Sequence, residues 1–228
     1  MKKRTFVYKI LIFISLLSFA PASLHANNEH ASTTEYNKKY TFTTNWFTHK
    51  IPAWAKLLKE LKGKPDINYL EIGTFEGRSA LWMLENIATH PTAKITIIDA
   101  FQENTYRTFT ANINLSDEAN KFKILIGLSA EKIKEVPFNS IDLSYIDGSG
   151  KGIVMLSDLV STWNLTKVNG IIICNRYPLN AGLRKDLELQ PNDPGPHEAI
   201  DAFVKLYKPY IKVLAFEDNQ VIVQKIRQ

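Results

Sequence analysis

The chain is short of several things, and each shortage removes a class of protein. It has one cysteine, Cys174, in 228 residues. No disulfide can therefore form within it, and at this length the apolar core needs no such staple. It lacks a concentrated stripe of positive charge. The net charge is +5, but Lys2, Lys3, Arg4 and Lys9 crowd into the first nine residues and leave a nearly balanced remainder. Binding a phosphate backbone needs clustered Lys and Arg, so a nucleic-acid partner is not expected. Internal repeats and low-complexity tracts are also missing, which excludes solenoids and disordered arrays.

An apolar run long enough to cross a bilayer is missing too. Ile10–Ala20 is eleven residues, against ~20 for a membrane span. With the basic start before it and Ser23-Leu24-His25-Ala26 after it, the run reads as a secretory signal cleaved after Ala26. Residues 1–26 are then a signal peptide, 27–44 a flexible polar N-terminus, and 45–228 the folded domain. The expected location is outside the cytoplasm, in a bacterial periplasm, with no membrane span once the signal is removed. The alternative is an uncleaved anchor reaching back through Phe6 and Tyr8 that ties the domain to the inner membrane.

What is present is a regular βα rhythm. Apolar strands are expected at Ile67–Gly73, Lys94–Phe101, Phe122–Gly127, Ile141–Gly148 and Gly170–Asn175. They alternate with helical patterns that start near Pro52, Gly77, Thr105, Ser129, Gly152 and His197. Two further strands flank an Asp218-Asn219 turn. This order predicts an α/β fold: a doubly wound, mostly parallel, Rossmann-like sheet of seven strands with an antiparallel C-terminal hairpin. Ligands of such sheets bind beyond the carboxyl ends of the strands.

The stretch Leu70-Glu71-Ile72-Gly73-Thr74-Phe75-Glu76-Gly77-Arg78-Ser79 marks the ligand. A dinucleotide fingerprint needs a second glycine two residues after the first, so that backbone can approach a pyrophosphate. Here that position is Phe75, and Glu76 adds negative charge at the helix start. Phosphate would meet a ring and a like charge. A cofactor without phosphate and with a cationic group suits Glu71 better.

This run, Leu70 to Met83, resembles the first motif of class I S-adenosylmethionine-dependent methyltransferases, close to a bacterial branch related to catechol-type O-methyltransferases. The resemblance covers about residues 45–228. It implies S-adenosylmethionine as cofactor, Glu71 near its amino group, the loop Gly73, Thr74, Phe75, Glu76 and Gly77 around it, and Ser79 on its carboxylate. It implies Asp99, at the end of the second strand, as acceptor from the ribose hydroxyls, and Ser129 and Ala130 beside the adenine. Taken alone, Asp99 could equally start a turn, and Ser129 could equally cap a helix. Ile146-Asp147-Gly148 resembles the step that borders the reacting methyl group, which makes Asp147 the candidate catalytic carboxylate.

Two positions depart from the branch. Gly150 stands where a histidine is usual, and Cys174-Asn175-Arg176-Tyr177 stands where an acid normally completes a divalent-metal site. One carboxylate, one amide and a guanidinium are a poor ligand set for magnesium, so no metal is expected. Arg176 and Tyr177, at the start of the long segment to Pro196, are the candidate acceptor-binding residues. Trp46, Phe47 and Trp54 fit either an acceptor wall or core packing, and Lys151 fits either a base or a solvated helix start. His49 and His197 read as surface residues. The expected function is methyl transfer to a small-molecule acceptor, by O-methylation and without metal. Open alternatives are a non-catalytic binding protein on the same fold and, against Phe75, a nucleotide-binding oxidoreductase.

Overall fold

The structure is a computed structural model that describes residues 39–177 and 192–228, together with residues 185, 189 and 190. The expected signal peptide, its expected cleavage site and most of the segment after Tyr177 lie outside the described residues.

Seven strands form one sheet: β1 Asn68–Ile72, β2 Lys94–Asp99, β3 Phe122–Ile126, β4 Ile141–Ile146, β5 Thr166–Cys174, β6 Ile211–Glu217 and β7 Gln220–Lys225. Their spatial order is β3-β2-β1-β4-β5-β7-β6. The first five are parallel, and β7 runs antiparallel to both β5 and β6. The helices are α1 Ile51–Leu58, α2 Arg78–Asn86, α3 Glu103–Leu115, α4 Ser129–Lys132, α5 Gly152–Leu165 and α6 Pro196–Tyr207. Both faces of the sheet are covered, as the near-continuous apolar strands demand. Along β1, Tyr69 joins the core beneath α1 and α2, and Leu70 and Ile72 join the opposite layer. Met155, Leu159, Trp163 and Phe203 bind α5 and α6 to β5 and β7.

The seven-stranded expectation holds, including the hairpin. Asp218 and Asn219 both take positive φ, 52° and 59°, which two-residue hairpins need and which Asn and Asp tolerate. Several boundaries shift by a residue or two, and two differ by more. Strand β5 begins at Thr166 rather than Gly170: its pairing with β4 shifts register between Ile141 and Leu143. Asn169 there turns to φ 70°, a local irregularity that polar Lys167–Asn169 disguise in the sequence. The expected division at residue 44 does not match the contacts either. Thr41 is bound to Asn112 and Thr43 to Glu76, so part of the segment expected to be flexible belongs to the domain.

Candidate functional site

Strand order reverses between β1 and β4, and this switch point opens the crevice expected of such sheets. The loop after β1 and the loop after β4 touch there. Gly73 has φ 81°, and a Cβ on it would lie 2.5 Å from Gly148 Cα and 2.6 Å from the Asp147 carbonyl oxygen. Gly77 has φ 86°, and its Cβ would lie 2.7 Å from the Phe109 ring. Both glycines are required by the chain's own packing and backbone conformation.

A cavity of about 700 Å³ sits over this crevice, a size suited to a cofactor or small ligand. Its lining includes Gly73, Thr74, Phe75, Ser79, Asp99, Ser129, Asp147 and Arg176, contributed by loops after β1, β2, β3, β4 and β5. The structure thus brings most of the expected site together.

Asp99 holds the glycine loop. Its Oδ2 accepts the amides of Thr74 at 2.7 Å and Phe75 at 3.1 Å, and its Oδ1 accepts the amide of Phe101 at 2.8 Å. Three of the roughly four acceptor sites of a carboxylate are filled by backbone. The two loop amides are therefore already engaged, and the Phe75 ring faces the cavity at φ 55°.

Glu71 is fully buried behind this loop and does not line the cavity. Tyr69 Oη and Ser79 Oγ each donate to it at 2.6 Å. Burial pushes its carboxyl up to about 7 despite those two donors, because charge is disfavoured away from water. The same burial pushes the Tyr69 hydroxyl well up, so it stays a donor. Ser79 also lines the cavity, so it links the buried acid to the ligand space.

At the other end, Tyr145 Oη donates to Asp147 Oδ2 at 2.8 Å. Arg176 Nε lies 3.1 Å from Asp147 Oδ1, and its Nη2 donates to the carbonyls of Asp147 and Gly148 at 3.2 and 3.4 Å. Arg176 therefore neutralises Asp147 and clamps its turn. Lys50, nearly buried, donates to the Trp46 carbonyl at 2.9 Å. Desolvation pulls its ammonium down from the usual lysine range, with Asp147 opposing that shift. Among the described residues no group of three His, Cys, Asp or Glu side chains is placed to hold a metal.

Several expectations move. Tyr177 lies outside the cavity: its ring packs on Phe216 and its amide donates to the Asn219 carbonyl. Ala130 is exposed on α4 and lines nothing, because α4 turns it away while Ser129 stays at the rim. Trp54 is core, wholly buried with its indole N–H donating to Gln220 at 2.9 Å. Trp46 and Phe47 line the cavity, as does Lys151. His49 is exposed, and His197 pairs with Glu198.

Other participants escaped the sequence reading. Tyr69 and Tyr145 each stand two residues before an acid on a strand, so period-two alternation puts each pair on one face; that spacing was the available signal. Asp158 is buried on α5 and hydrogen-bonded to Ser129, with burial lifting its carboxyl to about 6. No local signal marked it or Lys50.

Residues 70–177 match a family model described as a methyltransferase domain. The match and the fold together support a class I S-adenosylmethionine-dependent methyltransferase. Among solved structures, a putative O-methyltransferase from Klebsiella pneumoniae is 15% identical, with a TM-score of 0.64 over 90% of this chain and 93% of that one. An O-methyltransferase from Bacillus cereus, in complex with SAH, is 15% identical, with a TM-score of 0.62 over 90% and 94%. An SAH-bound methyltransferase from Podospora anserina is 17% identical, with a TM-score of 0.55 over 92% and 99%. At this identity the likeness speaks for the fold. No curated protein matches the chain.

Proposed function

We propose that the protein transfers a methyl group from S-adenosylmethionine to the oxygen of a small-molecule acceptor without a metal ion, as an outlying member of the bacterial branch related to catechol-type O-methyltransferases. The observation that carries the cofactor reading is the state of the glycine loop. The Thr74 and Phe75 amides that would cradle a pyrophosphate are bound to Asp99, and Phe75 and Glu76 line the cavity beside them. A nucleoside without phosphates fits such a loop, and a dinucleotide does not. Asp99 would hold the ribose at its remaining acceptor site. Ser79, with Glu71 behind it, would hold the methionine end, and Ser129 would border the adenine. The SAH-bound structures of like fold from Bacillus cereus and Podospora anserina agree with this choice.

On the acceptor side, Asp147 is the candidate base. Methyl transfer to oxygen relies on alignment and on removal of the acceptor's proton. The ion pair with Arg176 supports the metal-free reading, because a fixed guanidinium already occupies the charge of the one acid that would hold a cation.

Calorimetric titration of residues 27–228 with S-adenosylmethionine, its demethylated product and NAD tests the cofactor. Micromolar binding of the first two, about −8 kcal/mol, and none of NAD is expected; the reverse overturns the assignment. An acceptor screen with and without EDTA tests the chemistry. Activity lost to chelator and restored by magnesium would refute the metal-free reading. Cofactor binding with no acceptor methylated would favour the non-catalytic alternative. We further propose export with cleavage after Ala26. Mass spectrometry of native protein beginning at Met1, with a cytoplasmic distribution, would refute it.

A further inference from the structure

The segment Thr41–Phe47 precedes the recognised motifs, yet it forms one wall of the cavity through Phe42, Thr44, Trp46 and Phe47. Its attachments converge on the glycine loop. The Thr43 amide and hydroxyl both donate to Glu76, at 2.7 Å to Oε2 and 2.7 Å to Oε1. Asn112 exchanges hydrogen bonds with the Thr41 backbone and donates to the Glu76 carbonyl at 3.1 Å. Arg78 donates to the Thr44 carbonyl at 2.9 Å and lies over the Phe42 ring at 4.0 Å. The Trp46 ring stands 5.2 Å from Phe75.

The far end of the segment reaches the reacting side. Phe47 packs edge-on to Trp54, and Trp54 to Tyr145, the donor to Asp147. Lys50 holds the Trp46 carbonyl. Glu76 is thus nearly buried with both oxygens engaged by one distant threonine. Buried carboxylates with charge-assisted hydrogen bonds fix geometry strongly. Phe75 links this wall to the nucleoside end, since its amide is bound to Asp99 while its ring touches Trp46.

We propose that Glu76 is a positioning residue that fastens Thr41–Phe47 to the glycine loop as the acceptor-facing wall, so that a nucleoside bound at Asp99 tightens that wall. This rests on the cofactor reading above. A ribose on the remaining acceptor site fixes the Asp99 carboxylate, which holds the Phe75 amide, and the Phe75 ring carries that order to Trp46. Because coupling is reciprocal, an ordered wall also favours the nucleoside.

The test is amide hydrogen exchange of 41–47, with SAH affinity measured by calorimetry, on the unaltered protein, Glu76→Ala, Glu76→Gln and Thr43→Val. Thr43 exchange should be at least about tenfold faster in Glu76→Ala, as expected for loss of a charge-assisted hydrogen bond. Glu76→Gln should rescue it, because the threonine hydroxyl can turn and accept from the new amide. SAH should slow exchange of the segment in the unaltered protein and in Glu76→Gln. In Glu76→Ala SAH should still bind, but without protecting the segment. Thr43→Val deletes one contact and should give an intermediate response even if Glu76→Ala fails to fold. SAH binding that leaves exchange of 41–47 unchanged in the unaltered protein overturns the coupling alone. Absence of SAH binding in every form refutes the cofactor reading and the proposal with it.

Discussion

Around Glu71, Ser79 and Asp99 the cavity wall comes from neighbouring pieces of chain, β1 with its loop and helix and then the end of β2. Around Asp147 the wall is assembled from the β4 turn, Arg176 after β5, and the segment from Thr41 to Lys50. In the first region Glu71 and Asp99 are satisfied by nearby chain: Ser79 and Tyr69 serve Glu71, and the loop amides serve Asp99. The second balances charge across long sequence separations, with Arg176 on Asp147 and Lys50 close by. A region built from adjacent residues leaves a compact motif. One built by the sheet's register leaves scattered single residues. The family resemblance is accordingly sharp on the cofactor side and broken on the acceptor side, where Gly150 and Arg176 depart from the pattern.

The contact between the two regions is the most sensitive point. Gly73→Val forces a side chain onto the backbone of Asp147 and Gly148 at a left-handed φ. Left-handed strain together with overpacking predicts a loss of at least about 3 kcal/mol and abolished SAH binding. Thermal melting with calorimetry checks this. Undiminished binding would mean that the two loops do not meet as described.

Glu71 gives the next largest effect. Burial pushes its folded carboxyl up from the usual 4.5 to about 7. The unfolded chain therefore loses that proton first as pH rises. Glu71 contributes full stability below about pH 4.5, loses it progressively up to about pH 7, and changes nothing above that. The expected decline is on the order of 3 kcal/mol. Asp158 acts in the same direction over a lower window, from 3.8 to about 6. Urea denaturation at pH 5 and pH 7.5 measures the slope. Glu71→Gln should flatten its upper part, and an unchanged slope in that variant assigns the effect to other groups.

Asp147→Asn sharpens the contrast between the regions. Turnover should fall by about a hundredfold, the lower end for a positioned acid–base group, with SAH affinity nearly unchanged. Steady-state kinetics beside calorimetry separates the two. A variant that loses SAH binding equally would move Asp147 to the cofactor side.

Tyr177→Phe should do least. Its ring packs against Phe216 outside the cavity, so turnover should hold and stability should change by under about 0.5 kcal/mol. A large rise in acceptor KM would return Tyr177 to the binding site.

The sequence by itself determined the strand order along the chain, the hairpin turn, and the glycine loop with its bulky, acidic centre. These rest on local rules: alternation, glycine spacing, the conformational tolerance of Asp218-Asn219, and the bulk and charge of Phe75 and Glu76. Tertiary structure alone decided who partners whom. It paired Ser79 with Glu71, turned Ala130 and Tyr177 away from the cavity, and set Arg176 against Asp147 across two adjacent strands. It also brought Thr43 to Glu76, 33 residues apart in the chain. Buried polar groups must find partners wherever the packed chain supplies them. Those partners are fixed by strand register and helix orientation, which a one-dimensional pattern does not encode.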